Sequence, residues 1–442
     1  MGAHVEAVRD SVALAQSVDV VVIGGGIVGT AAAYELARKG VSVALLEKGR
    51  IGAEQSSRNW GWCRQQNRDF PELPLSIYSL RRWEELGAET GRELGFRRSG
   101  LVYASTKAAE LATWEAWIDK ARAYGFVSHM LSSSEAKQRT PGSTSDWLGG
   151  LWSPSDGRAE PSLASPALAA AGRDLGAFVH QNCAVRGLDI SAGRVTGVWT
   201  ERGLIKAQKV ICAGGAWSSR FCRRHGIDLP NLNVTGTALK TTVAAEVISG
   251  GLATPGFALR RRLDGAYSLS ISGRGRFELT PQGLRHAPKF RAAFKSRLAR
   301  LKYRVGTSFF SGPEALGSWA FDAVSPFERH RVLDPRPDQQ MVEEALTALV
   351  REYPALAGIK AEQAWGGLID STPDIIPVIS PVDQLPGFII ASGFSGHGFG
   401  IGPGAGRLIA DLAVSDTPIV DPAAFRLERF SDGSEIRQPK MM

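Results

Sequence analysis

The sequence predicts an α/β fold of two domains. Three observations carry that expectation: a β-branched run leading straight into Gly24-x-Gly26-x-x-Gly29, a second glycine-rich segment at 393–400, and a length of 442 residues, too great for one ordinary core. The first implies a βαβ unit near the N-terminus. The second implies that the other end of the chain closes the same domain.

Val20-Val21-Val22-Ile23 is continuously apolar, as a parallel strand buried on both faces requires. Residues 27–38 follow as a helix closed by Gly40, and 41–46 form a second buried strand ending at Glu47. Helices are expected over 74–95 and 106–125, around a strand at 100–103. A helix within 158–176 precedes a hairpin at 185–198 with Ala192-Gly193 at its turn. Residues 209–215 are another buried strand ending in glycines. From about 233 to 345 strands alternate with basic amphipathic segments, then 386–393 returns to a short apolar strand and 402–412 to a helix. The expected dinucleotide domain is Rossmann-like and comprises 18–105, 155–232 and 356–430. Residues 106–154 and 233–355 form an α+β substrate domain with a mixed or antiparallel sheet, and 1–17 and 431–442 are flexible termini.

Composition excludes several classes. Hydrophobic residues make up 43% and charged residues 22%, as in globular chains. The net charge of +8 favours anionic ligands or an acidic membrane surface. Lys and Arg are dispersed apart from groups such as Arg260-Arg261-Arg262, and no basic stripe with interleaved aromatics points to nucleic acid. Cys63, Cys183, Cys212 and Cys222 show neither metal-ligand spacing nor a disulfide framework, so no metal is expected and a reducing cytoplasm fits. Glu6, Arg9 and Asp10 interrupt any signal-peptide core, and the apolar run 20–33 is too short to span a bilayer. The expected location is cytoplasmic, with peripheral contact at the inner face of a membrane.

Each glycine of the first motif has a physical task. Gly24 permits the tight turn, Gly26 lets a pyrophosphate approach the backbone, and Gly29 lets helix and strand pack closely. The phosphate charge then meets the free N–H groups of the helix start at Ile27 and Val28. Glu47 stands where a carboxylate accepts ribose hydroxyls, which disfavours a 2′-phosphate. The motif leaves NAD and FAD open.

Six segments in order resemble the D-amino-acid oxidase and sarcosine oxidase superfamily of flavoproteins. They are 24–29, Ser56-Ser57-Arg58-Asn59-Trp60-Gly61, Ser155-Asp156-Gly157-Arg158-Ala159-Glu160-Pro161, 210–218, Thr372-Pro373-Asp374, and Gly393-Phe394-Ser395-Gly396-His397-Gly398-Phe399. The resemblance runs from about 20 to 430 and implies FAD. It places Lys48, Ser56, Ser57, Arg58, Asn59, Gly61 and Trp62 along the pyrophosphate and flavin, and the backbone of Val185 at the adenine. Gly214, Trp217, Gly367, Gly396, His397, Gly398, Phe399 and Gly400 complete the implied cofactor set.

Departures from the family pattern shape the substrate question. Ile369 replaces the arginine that pairs with a substrate carboxylate in relatives acting on D-amino acids or glycine. Gly367 stands in place of the cysteine that bonds flavin in monomeric sarcosine oxidases, so non-covalent FAD is expected, and Gly400 replaces a lysine. The pattern is most similar to the sarcosine oxidase β-subunit type. There Arg64, five residues after Asn59, would grip a carboxylate, with the alternative of an ordinary salt bridge. Asp370 would meet a cationic amine, hold a partner or form a turn, and His397 is the third catalytic candidate. Trp62, Tyr267 and His330 are candidate substrate-pocket residues, with aromatic packing and surface charge as the plainer alternatives. The resemblance implies oxidation of the C–N bond of an amino acid or N-substituted amino acid by hydride transfer to flavin, with oxygen or a quinone as acceptor. The alternatives are an FAD dehydrogenase of a 2-hydroxy acid or polyol, or one subunit of a flavoprotein complex; a homo-oligomer is also compatible.

Overall fold

The computed structural model describes residues 2–293 and 301–436. Its first sheet has six strands centred on Val20–Ile23, which pairs in parallel with Val43–Leu46 and Lys209–Cys212. Phe178–His180 extends one flank in parallel, Phe388–Ser392 the other, and Val378–Pro381 closes that edge antiparallel. Both ends of the chain therefore meet in one sheet. The unbroken apolar runs follow from burial: Val21, Val22, Leu45, Val210 and Ile211 are wholly covered.

Helices Ile27–Arg38, Pro161–Asp174 and Gly398–Val414 cover one face of this sheet. The last helix begins at Gly398, earlier than the 402 expected, and takes the glycine-rich segment into its first turns. Glycines are needed there because the crossing with Ile27–Arg38 is close: a Cβ on Gly406 would lie 2.5 Å from that of Ala31. A three-stranded sheet of Val185–Ser191, Arg194–Thr200 and Gly203–Lys206 covers the other face. Its first turn holds Ala192 and Gly193 at φ of 49° and 72°, the left-handed pair a tight hairpin requires.

The second sheet has ten strands. Leu232–Thr241 pairs antiparallel with Ala361–Ser371 along its whole length, setting Asn233 opposite Asp370. Two strands differ from expectation. Leu101–Ser105 and Ala361–Ser371, placed by sequence in the dinucleotide domain, both belong to this sheet. Alternation identifies a strand but not the sheet it will join.

Two segments expected elsewhere pack against the dinucleotide domain. Residues 2–17 are not a free end: Ser11 N–H bonds Val179 O at 2.8 Å, Glu6 N–H bonds Ser162 O at 3.1 Å, and Ala15 is buried. The stretch around 319–333, expected in the substrate domain, crosses back over the first sheet. Glu328 accepts from Arg186 at 2.6 Å, and Lys48 Nζ donates to the carbonyls of His330 and Arg331 at 2.8 and 3.0 Å. Of the C-terminal stretch expected to be flexible, 437–442 lie outside the described residues.

Candidate active site

A cleft opens at the ends of the parallel strands, where the first sheet meets the second. Gly24, Gly26, Ile27 and Val28 line it. Gly24 has φ +108°, and a Cβ there would sit 2.4 Å from Ala213 O. Gly29 does not line the cleft; a Cβ on it would stand 1.9 Å from Gly24 O, so its task is packing of the turn. Ser56 Oγ accepts the N–H of Ile27 at 2.8 Å, and Ser57 bonds back to Glu54 O.

At one end lie Glu47, Lys48, Val185, Gly214 and Trp217. The Glu47 carboxylate accepts the N–H groups of Gly25 and Gly49, each at 2.7 Å, and burial pushes its pKa up. A carboxylate offers about four acceptor sites, so capacity for ribose hydroxyls remains. Lys48 lies 5.0 Å over the Trp217 ring. His330, a candidate pocket residue, lies tilted against Trp217 with ring centroids 6.0 Å apart, so it belongs to this end. Phe327 and Leu333 also line the cleft and were missed: they come from a segment with no cofactor motif.

At the other end the glycine-rich segment is held by Asp370. Its carboxylate accepts Gly393 N–H at 2.7 Å and the Ser392 hydroxyl at 3.1 Å, and its carbonyl accepts Ser395 N–H at 2.7 Å. Burial raises its pKa to about 6. Asp370 is thus a clamp between the two sheets. Gly396, Gly398 and Phe399 line the cleft, as do Arg58 and Asn59. Asn59 braces its own loop, donating to Ser56 O and accepting from Gly61 N–H, both at 2.7 Å. Arg58 is buried and donates to Gly366 O at 3.0 Å.

Three implied cofactor residues instead act through packing. A Cβ on Gly367 would meet Gln55 Oε1 at 2.2 Å, one on Gly61 would meet the Arg260 guanidinium at 2.7 Å, and one on Gly400 would meet the backbone of Trp62, Cys63 and Arg64 at 3.1–3.4 Å. Trp62 stands between Trp60 and Tyr103 outside the cleft lining. Tyr267 is wholly buried, its hydroxyl bonded to Ala245 O and Val247 N–H, and is a core residue.

His397 also stands outside the cleft lining. Its Nδ1 lies 2.9 Å from Glu72 Oε2, and both side chains are buried. Burial, and then the Arg68 guanidinium, lower the His397 pKa to about 4. Burial opposes ionisation of Glu72, yet the facing His397 ring and the Arg68 and Arg64 guanidiniums hold its carboxyl below the usual range. A neutral ring facing a carboxylate must donate from Nδ1, which leaves the lone pair on Nε2. Glu72 was missed because 325 positions separate the partners. Arg64 belongs to the same group of charges. Its Nη1 donates to the carbonyls of Gln66 and Asn67 at 2.6 and 3.3 Å, and no carboxylate pairs with it among the described residues. The salt bridge weighed for Arg64 is therefore absent among the described residues.

The cleft suits a dinucleotide. Its lining joins the Gly24–Val28 turn, Glu47 and the 393–400 segment in one continuous cleft. Trp217 Nε1, Ser218 Oγ, Gln55 Oε1 and Arg58 Nε belong to its lining residues and have no hydrogen-bond partner among the described residues. Buried polar atoms are rarely left so, and each could bond an incoming group. No cluster of residues able to hold a metal occurs among the described residues, and no helix there is long and apolar enough to cross a membrane.

Comparison with known proteins agrees with this geometry. The chain is 26% identical to human mitochondrial sarcosine dehydrogenase over 437 residues, covering 97% of this chain and 43% of that protein. This chain thus spans less than half the length of that relative. It is 26% identical to the sarcosine oxidase subunit beta of an Arthrobacter species over 428 residues, covering 95% and 92% of the two chains. The solved L-amino acid deaminase from Proteus myxofaciens, in complex with anthranilate, superimposes with a TM-score of 0.92 at 28% identity and covers 97% of each chain. The model of the family described as DAO, FAD dependent oxidoreductase, matches residues 19–412, and the chain belongs to that family of FAD-dependent oxidoreductases.

Proposed function

We propose that this chain oxidises the C–N bond of an amino acid or N-substituted amino acid, with FAD held non-covalently in the cleft. The imine product hydrolyses to an oxo acid or aldehyde plus an amine or ammonia. One observation carries the substrate class: Arg64 spends a single nitrogen on backbone carbonyls and faces no carboxylate among the described residues, so its remaining N–H groups can take one from a substrate. The names of the relatives, which cite sarcosine and L-amino acids, support that class.

When bound, FAD supplies the acceptor for the α-hydrogen and its electron pair. The chain's own groups orient and stabilise. Arg64 would grip the carboxylate, and Asp370 holds the 393–400 segment that leads into Gly398–Val414, whose first N–H groups would stabilise negative charge on a bound cofactor. Glu72 keeps His397 in the Nδ1–H tautomer, with the lone pair on Nε2. Non-covalent attachment is supported by Gly367, which has no nucleophile, and by Cys63, whose thiol burial holds far above its usual pKa. Gly400 stands crowded against the Trp62–Arg64 backbone in place of a lysine, which supports a quinone over oxygen as acceptor, and a quinone acceptor fits a protein in peripheral contact with a membrane. Similarity to an oxidase β-subunit over nearly its full length supports a second reading, a catalytic subunit of a larger complex, which sizing the purified chain would test.

Anaerobic bleaching of the flavin tests the proposal. Amino acids or N-methyl amino acids should bleach it; bleaching by 2-hydroxy acids and by no amine overturns it. Acid precipitation should leave the flavin in the supernatant, and admitting air should reoxidise it slowly compared with adding a quinone. Arg64→Ala should weaken a carboxylate substrate by roughly 10–150-fold, the worth of a charge-assisted bond. Unchanged affinity removes Arg64 from the site.

A further inference from the structure

We propose that the edge of the ten-stranded sheet around Leu301–Arg304 is a docking face for an anionic lipid bilayer. The proposal gives the membrane contact a location and rests on the reading above only for its purpose, delivery of electrons to a quinone.

Large apolar side chains stand out from the surface here: Phe310 is 83% exposed, Val305 69% and Tyr303 43%. Leu279 adjoins them, because its N–H bonds Arg304 O at 2.8 Å. An apolar group of this kind at one sheet edge marks an interaction surface. Charge supports a lipid occupant. Among the described residues between Glu278 and Glu314 there are five Lys or Arg, namely Arg285, Lys289, Arg291, Lys302 and Arg304, and no Asp or Glu. The carboxylates that reach this face are few: Asp228 pairs with Arg285 and Lys289, Asp338 pairs with Lys302, and Glu278 accepts from Ser308. Arg304 and Arg291 are exposed and have no ion pair among the described residues. Basic groups interleaved with exposed Phe, Tyr, Val and Leu match an interface where cations meet lipid phosphates and apolar side chains enter the acyl boundary. Lys302 and Arg304 on the edge strand also oppose its pairing with a strand of another chain, since charged edges are a device against such pairing.

Co-sedimentation of the holoenzyme with phosphatidylcholine vesicles, with and without phosphatidylglycerol, tests the face directly. Binding is expected only with the anionic lipid and should weaken in high salt. Arg304→Glu and the pair Val305→Ser with Phe310→Ser, all on the surface, should each reduce it about tenfold or more. Flavin bleaching by substrate in solution should not change in these variants, so loss of docking is distinguishable from loss of the proposed activity. The proposal is overturned by absence of vesicle binding, by binding that the variants leave intact, or by a dimer in solution that Phe310→Ser dissociates.

Discussion

Replacing Asp370 by asparagine separates the geometry of the clamp from its charge. The carboxylate accepts Gly393 N–H at 2.7 Å and the Ser392 hydroxyl at 3.1 Å, while burial raises its pKa from 3.8 to about 6. A shift of that size corresponds to roughly 3 kcal/mol against the ionised fold at neutral pH. The raised value means that, between those two pKa values, the fold keeps a proton that the unfolded chain has released. Stability is therefore lost as pH rises through that window and is level above it. Asparagine retains an acceptor for Gly393 N–H and removes the ionisation cost, but gives up about 1 kcal/mol of charge-assisted bonding. Asp370→Asn should thus be about 2 kcal/mol more stable than the parent at pH 7 and less than 1 kcal/mol more stable at pH 5. Asp370→Ala strands both donors and should weaken FAD by about tenfold or more as the 393–400 segment loosens. Urea unfolding of the apoprotein at pH 5, 6 and 7, with FAD titration, measures both. Identical pH dependence in Asp370→Asn and the parent would refute the reasoning.

Trp217→Phe keeps an aromatic ring on the cleft and removes an N–H with no partner among the described residues. The apoprotein should gain about 1 kcal/mol while FAD binds roughly fivefold more weakly, by calorimetry; tighter or equal FAD binding would show that this N–H serves no cofactor. Gly400→Ala should cost about 1–3 kcal/mol in denaturant unfolding, because the added methyl presses on the Trp62–Arg64 backbone, which cannot rotate aside. It should also raise the substrate KM by displacing Arg64, and an unchanged KM would separate Gly400 from the substrate site.

What the sequence determined by itself is the local chemistry. A strand running into Gly24-x-Gly26-x-x-Gly29, a helix behind it and Glu47 at the next strand end form a unit whose parts lie close in sequence. Hard-sphere limits at Gly24 and Gly29 leave little choice of residue. Six ordered segments carried the family and hence FAD. The tertiary structure alone decided which distant residues meet. It made Asp370 a clamp, set Glu72 against His397, sent Tyr267 into the core and moved His330 to the far end of the cleft. It also drew Leu101–Ser105 and Ala361–Ser371 into the larger sheet and laid Phe327 and Leu333 over the dinucleotide site. The physical reason is common to all of these. Local spacing constrains which turn or helix a segment can form, whereas a side chain's role here depends on partners tens to hundreds of residues away, brought close only by strand pairing and burial.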